Sequence, residues 1–346
     1  MKKALQFLLS RKGDRSEKEY SHLADEQDIY YCFRLLLGRP PDRVELQGHL
    51  SQTGLDLNSV VSQYLNSFEF SRRLADLSKR EVDDRVFLKE METFSLYVQE
   101  GDSAVGKHIK HLGAYEPHVT SVFSRELKPG MNVIDIGANI GYFTMLAAKL
   151  VGPNGSVMAI EPNPINVKLM EASRRTNSLD NVTIVQAAAG RGLGLLMLNT
   201  SFSNGTTAGL SADLVSLLDA TTVPCLVIDD LVPADRHVDF VKIDVEGAEY
   251  NALFGAQKTI RRCKPTIVSE FGPAGMPGIS GVTGPEYLQF LLGFGYDISV
   301  IEKDGSLVDC GNDVEKVMNA FFDSGVDHID IVFTPANKST SRATPA

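Results

Sequence analysis

The sequence predicts an α/β protein in which a small all-helical domain precedes a mostly parallel sheet flanked by helices. Three observations predict it. At roughly 150 residues per domain, a chain of 346 residues holds about two domains. From residue 132 onward, apolar strand-like runs alternate with helical patterns. One of those strands, Val133-Ile134-Asp135-Ile136, runs directly into the turn Gly137-Ala138-Asn139-Ile140-Gly141 and then into a helix.

The elements follow in order. Residues 1–24 form a polar extension. Asp25 can N-cap a helix that carries Ile29, Phe33 and Leu36 at helical spacing, and Gly38 with Pro40-Pro41 stops it. A second helix is expected over 44–50. A third starts at Asn58 or Ser59 with Val61, Leu65 and Phe68 on one stripe. Residues 76–90 read as a helical linker, and the helical module spans 25–85. The α/β domain spans 86–336, with strands expected at 94–98, 132–136, 156–160, 182–187, 225–228, 240–243, 266–270, 298–301 and 329–333. Helices fit 142–149, 164–177, 248–254 and 285–294, and 108–127 reads as mostly helical. Lys303-Asp304-Gly305-Ser306 is a hairpin turn. The Ser- and Gly-rich stretch 200–211 is expected as a loop, and 337–346 as a disordered tail.

Composition excludes several classes. Lys and Arg number 34 against 44 Asp and Glu, a net charge of −10, which argues against a nucleic-acid partner. No apolar run is long enough to span a bilayer, and the N-terminus lacks a secretory leader, so a cytoplasmic protein is expected. The four cysteines, Cys32, Cys225, Cys263 and Cys310, make no CxxC pair, which speaks against a zinc site or a disulfide framework. Trp is absent, so a sugar ligand must be held by Tyr, Phe or polar groups.

The glycine turn is the most informative stretch. A dinucleotide site needs a second glycine where this chain has Asn139, which crowds a pyrophosphate. Asp135 at the strand end suits a cation better than a phosphate. S-adenosylmethionine fits both facts, having an amino group, a sulfonium and no phosphate. Glu161, 24 residues after Gly137 at the end of the next strand, can accept two hydrogen bonds from ribose hydroxyls. The following strand ends in Gln186-Ala187-Ala188-Ala189, where an adenine edge would sit.

VIDIGANIGYFT, then IEPNP with its Asn163, then VKIDVEGAE at 241–249, resembles the FkbM family of S-adenosylmethionine-dependent methyltransferases. The resemblance covers about residues 94–335 and includes Tyr115-Glu116-Pro117. It implies a Rossmann-like, seven-stranded class I methyltransferase sheet and methylation of hydroxyl oxygens on sugars and natural products. By motif it implies Asp135, Gly137, Asn139, Gly141, Glu161, Asp244 and Glu246 as functional positions. Residues 25–73, with LLGRPPD and NSFEF, are similar to a phycobilisome-linker-like helical module of unknown function. That likeness implies a glycan or envelope setting and a glycan-assembly protein as partner.

Methyl transfer needs an aligned nucleophile and a base for its proton. Alternation along 240–247 puts Lys242 and Asp244 on one side of the strand. Glu246 follows in the turn, and Glu270 ends the next strand at the same mouth. Three roles stay open. Asp244 or Glu246 is the base with Lys242 orienting it; or Asp244, Glu246 and Glu270 hold a divalent cation; or the carboxylates only complement a helix N-terminus. Tyr115 and Glu116 can close over the cofactor, or Glu116 can simply start a helix. His111 and His118 read as surface or packed residues. On position, 200–211 and 272–284 are candidates for the acceptor wall. Rivals to a glycan O-methyltransferase are methylation of another small molecule and a cofactor-binding scaffold without turnover.

Overall fold

A computed structural model describes residues 22–70, 73, 86–100, 102, 105–199, 206–209, 217–218 and 220–336. The chain divides into two compact units, Met1–Asp83 and Asp84–Ala346. Most of the expected N-terminal extension and of the helical linker, and the tail, lie outside the described residues.

In the first unit, Asp25 caps α1 (Glu26–Tyr31) through a capping box with Asp28. The helix continues as a wider turn over Cys32–Leu37 and ends on Gly38 in the left-handed conformation. Asp42 and Glu45 form a second capping box on α2 (Arg43–His49), and Asp56 caps α3 (Leu57–Leu65). Ile29, Phe33, Leu37, Val60 and Tyr64 make the core. The helical period of α3 is as expected but its phase is not. Val60 and Tyr64 face inward, while Leu65 and Phe68 are 40% and 84% exposed. Tyr64 can take the inward place because its hydroxyl bonds His49 Nδ1 at 2.7 Å.

The second unit opens with a hairpin of β1 (Val86–Glu90) and β2 (Ser95–Gln99), so the end of the expected helical linker is a strand. Next come α4 (Val105–Leu112), α5 (Pro117–Glu126), β3 (Asn132–Ile136), α6 (Tyr142–Val151), β4 (Ser156–Ile160), α7 (Pro164–Thr176) and β5 (Val182–Val185). A separate four-stranded sheet contains β6 (Ala188–Ala189), β7 (Gly194–Asn199), β8 (Thr206–Ala208) and β9 (Thr221–Leu226) in the order β6-β9-β7-β8. This sheet was not foreseen. Only a strand at 225–228 was expected there, and β8 lies where a loop was expected. The chain then forms α8 (Ile228–Leu231), β10 (Phe240–Ile243), α9 (Glu249–Phe254), α10 (Gln257–Cys263), β11 (Thr266–Phe271), α11 (Met276–Ile279) and α12 (Gly284–Leu292). It closes with β12 (Tyr296–Ile301), β13 (Leu307–Gly311), α13 (Val314–Ser324) and β14 (Ile329–Pro335). Helices α10 and α13 are further additions to the expected set.

The large sheet runs β13-β12-β14-β11-β10-β3-β4-β5. Strands β11, β10, β3, β4 and β5 are parallel, while β14 enters antiparallel between β11 and β12. This is the class I methyltransferase order, with β13 as an eighth strand beyond the expected seven. Alternation along the central strands feeds two cores. Val133 and Phe240 face one layer, while Ile134, Val241 and Ile243 face the other. The strand order reverses beside β3, so the carboxyl ends of β3, β4 and β10 open a crevice suited to a ligand.

Candidate active site

Each wall of the crevice comes from a strand end. The turn after β3 holds Gly137 at φ +77°, where a Cβ would come within 1.8 Å of the Asp244 carbonyl oxygen. Only glycine lets the turn lie against the end of β10. Gly141, at φ +92°, caps α6 against Met170. Gly137, Ala138, Asn139, Glu161, Ala187, Ala188, Ala189, Lys242, Asp244 and Glu246 line a cleft of about 800 Å³ that opens to solvent. Tyr115, Tyr142 and Phe143 add an aromatic side, and Thr207 of β8 adds a polar point.

Glu161 is 6% exposed. Its Oε2 accepts from Asn139 N–H at 2.9 Å, and its Oε1 from Asn163 N–H at 2.8 Å and Asn166 Nδ2 at 3.3 Å. Burial raises its pKa to about 7 against these three donors. The residues suit a cationic nucleoside cofactor: a carboxylate faces the cleft, the turn gives close backbone approach, and carboxylates collect at one end. Gln186 is exposed and does not line the cleft; the three alanines after it do. Strand β5 ends at Val185, one residue earlier than the adenine placement needed. Asn163 serves indirectly, capping α7 and donating to Glu161.

Asp135 lies beneath the turn rather than on the cleft wall. It is 1% exposed, accepts from Thr144 Oγ1 at 2.6 Å, and has an Oδ1 that no donor among the described residues reaches. Its neighbour across the sheet is Lys242, in register on β10. Lys242 is 4% exposed, stands 4.9 Å from the Phe143 ring centre and bonds Asp244 Oδ2 at 3.1 Å. Burial pulls its pKa down, but Asp244, Asp135 and Glu116 together outweigh that and hold the ammonium charged.

Further carboxylates crowd the same end without lining the cleft. Burial raises the pKa of Glu116, and Asp244 and Asp330 add to the rise against Lys242. Glu270 rises for the same first reason, with Asp244 next. Across β11 and β14, Glu270 is in register with Asp330, whose Oδ2 lies 2.7 Å from His118 Nε2. That bond raises the imidazole pKa. Glu249 accepts from Val245 and Gly247 N–H at 3.0 and 3.2 Å, and burial raises it to about 7. Glu116, Asn139 and Glu246 adopt φ of +41°, +51° and +55°. Positive φ is uncommon for non-glycine residues, and Ser178 and Lys264 at helix ends adopt it too.

Asp330 had no place in the sequence expectations, and His118 was read as packed or on the surface. An acid within the apolar strand Ile329-Asp330-Ile331 is the signal that could have marked the first. No group of three or more His, Cys, Asp or Glu among the described residues is arranged to hold a metal. The divalent-cation role of Asp244, Glu246 and Glu270 therefore finds no ligand cluster, and Lys242 already supplies a cation to Asp244. Segment 272–284 packs on the turn after β10, where Ser280 Oγ donates to the Gly247 carbonyl at 2.5 Å.

Residues 135–298, a little under half of the chain, match the model of the methyltransferase FkbM domain. Residues 67–194 match that of protein-L-isoaspartate(D-aspartate) O-methyltransferase. Protein-L-isoaspartate O-methyltransferase of Methanothermobacter thermautotrophicus is 28% identical over 78 residues, 22% of this chain and 36% of that protein. The chain thus spans about a third of the curated relative it matches. Among solved structures, methyltransferase FkbM from Methylobacillus flagellatus is 16% identical with a TM-score of 0.39, covering 89% of this chain and 59% of that one. A SAM-dependent O-methyltransferase from Thermotoga maritima is 14% identical with a TM-score of 0.37, covering 73% and 86%. The matched region begins at Asp135 and takes in the glycine turn, Glu161, Lys242, Asp244 and Glu246, so the stretch that builds the cleft is the stretch that is similar to a methyltransferase FkbM domain.

Proposed function

We propose that the protein transfers a methyl group from S-adenosylmethionine to a hydroxyl of a sugar or glycan. The observation that carries the reading is the acidic end of the cleft, where Asp244 and Glu246 line the wall beside the single ammonium of Lys242. The cofactor, when bound, supplies an electrophilic methyl. The chain's own work is to hold the nucleoside, orient the acceptor and take its proton. Lys242 bonds Asp244 Oδ2 at 3.1 Å and so fixes that side chain. Asp244, held in place, orients the acceptor, and Glu246, next along the wall, takes the hydroxyl proton. The lining suits a neutral acceptor, because Lys242 is spent on Asp244 and a phosphate or carboxylate would face carboxylates. Tyr115 and Tyr142 offer apolar faces for a sugar ring. All four cysteines are free and buried, which agrees with a reducing compartment and supports a cytoplasmic setting. The helical module, on this reading, docks the enzyme to a glycan-assembly protein.

The isoaspartate likeness spans the cofactor half and leaves the acceptor to experiment. A methyl-transfer assay with labelled cofactor, run on extracted glycans, lipids, small natural products and isoaspartyl peptide, tests the proposal. Label in the glycan fraction, and a drop of about 10²–10⁴ in turnover for Glu246→Gln with cofactor affinity kept, are expected. Label only in the peptide or in another small molecule refutes the acceptor class. Cofactor binding without transfer to any fraction favours a scaffold.

A further inference from the structure

Beyond the cleft, the second unit carries a groove of about 1070 Å³ that opens to solvent. Its charged lining is Arg191, Lys258, Arg261 and Arg262 against Asp229 alone. The Asp229 carboxylate already accepts from the Lys258 and Thr259 backbone N–H groups at 2.9 and 2.8 Å. All four cations are exposed. Among the described residues none of them pairs with a carboxylate, in a chain where acids outnumber bases 44 to 34. Two of the guanidinium groups are nonetheless fixed in place. Arg191 lies over Tyr250 and Phe254 with Cζ 4.7 and 5.1 Å from the ring centres. Its Nε donates to Asn251 Oδ1 at 2.6 Å and its Nη2 to the Ser280 carbonyl at 3.2 Å. Arg262 Nη1 and Nη2 donate to the Arg236 and Pro233 carbonyls at 2.6 and 3.4 Å. These acceptors are neutral, so both charges stay uncompensated, and each fork keeps N–H groups for a further acceptor.

Helix electrostatics account for only part of the cluster. Arg261 and Arg262 close α10, where the dipole favours a cation. Lys258 stands in the first turn, where the dipole disfavours one. It also lies three and four residues from the two arginines, spacings at which like charges destabilise a helix. Arg191 comes from a different element, the turn after β6. The groove begins where the cleft stops. Ala189 lines the cleft, and Arg191, two residues on, lines the groove. Ala189 pairs with Leu226 of β9, and Val227 follows into the groove. Between the two sites Gly255 packs so closely that a Cβ there would meet the Gly190 carbonyl oxygen at 2.2 Å. Two residues span at most about 7 Å, so one extended ligand can reach both.

We propose that this groove binds the oxyanions, phosphate or carboxylate, of an acidic chain. Resting on the methyl-transfer reading, that chain is the acceptor. The cleft takes an uncharged, hydroxyl-bearing unit, as its acidic end requires, and the groove holds the charge of a neighbouring unit. Guanidinium forks suit oxyanions, which they bond in pairs, and forks already fixed lose less freedom in doing so.

Calorimetric titration of the full chain, with S-adenosylhomocysteine present, tests it with inorganic tripolyphosphate and tetragalacturonate as the phosphate and carboxylate probes. At least one is expected to bind, and the tighter of the two identifies the oxyanion. The double variant Lys258→Gln, Arg261→Gln should weaken binding about tenfold while the thermal midpoint holds or rises. Lys149→Gln, which removes an exposed cation outside the groove, should leave it unchanged. In the transfer assay the double variant should raise KM for an acidic glycan fraction about tenfold at unchanged kcat, and leave KM for a neutral fraction as it was. The proposal is overturned if neither probe binds, if the double variant binds like the wild type, or if Lys149→Gln weakens binding as much. Tighter binding of single-stranded RNA than of both probes overturns it too. Label confined to neutral glycans overturns the assignment of the groove to the acceptor. Binding that follows the variants in a chain that transfers no methyl group upholds the oxyanion groove and refutes the methyl-transfer reading alone.

Discussion

Gly137→Ala probes the geometry on which the cofactor cleft depends. At φ +77° an L-residue costs about 1–2 kcal/mol in backbone strain before any clash is counted. The new Cβ would stand 1.8 Å from the Asp244 carbonyl oxygen, and real Cβ contacts essentially never fall under 3.0 Å, so the turn must retreat from β10 by at least 3.0 − 1.8 = 1.2 Å. No flexible side chain can absorb that shift, because the obstacle is backbone. The turn also carries the Asn139 N–H that Glu161 accepts, so the retreat separates the nucleoside wall from the acidic end. Misplacement of about 1 Å can cost roughly a hundredfold in rate. Calorimetric titration with S-adenosylmethionine, with thermal unfolding alongside, should show affinity lowered by more than about tenfold and a loss of at least the 1–2 kcal/mol of strain. Gly192→Ala is the control, since nothing lies within 4 Å of its Cβ and its φ is ordinary. Wild-type affinity and midpoint in Gly137→Ala would refute the reasoning.

Other perturbations separate the site's parts. Glu161→Ala removes the acceptor of the Asn139 and Asn163 N–H groups, so it should cost about 1–3 kcal/mol and abolish the thermal shift on adding cofactor; a full shift would count against ribose recognition there. Lys242→Met strands Asp135 and Asp244 beside each other without their cation, and urea unfolding should register a loss of about 3–5 kcal/mol. The pKa of Glu249 is raised from 4.5 to about 7, so the fold binds its proton more tightly than the unfolded chain does. Its contribution is fully present below about pH 4.5 and is lost as pH rises through about 7, amounting to about 3 kcal/mol at most. Glu249→Gln, which keeps an acceptor for the Val245 and Gly247 N–H groups, should flatten the fall in stability between pH 5 and 7.5. A fall equal to that of the wild type would place the titration elsewhere.

What the sequence made legible was local. The glycine turn, Glu161 and the Lys242–Asp244 pair each sit where an apolar strand ends, and strand spacing alone aligns them. Gln186 lies off the cleft because β5 stops at Val185, and the chain turns there so that the three alanines, not Gln186, line the wall. In α3 the period was readable but the phase was not, since Tyr64 looks less apolar than Phe68 until its hydroxyl finds His49. The second sheet was hidden because β7 and β9 carry little alternation and pair across a segment of turn-forming residues. His118 and Asp330, 212 positions apart, meet only through the insertion of β14 beside β11. No window along the chain contains that fact.

The place of β14 also bears on how the chain is made. It follows every other described strand in the chain, yet it fills an interior slot between β11 and β12. Until residues 329–335 emerge, two strands wait with unpaired edges, a condition that invites wrong partners. The carboxylate mouth is incomplete for the same interval, lacking Asp330 opposite Glu270. The arrival of β14 therefore both seals the sheet and completes the mouth, and a chain cut short before residue 329 would carry the cleft with an unfinished acidic end.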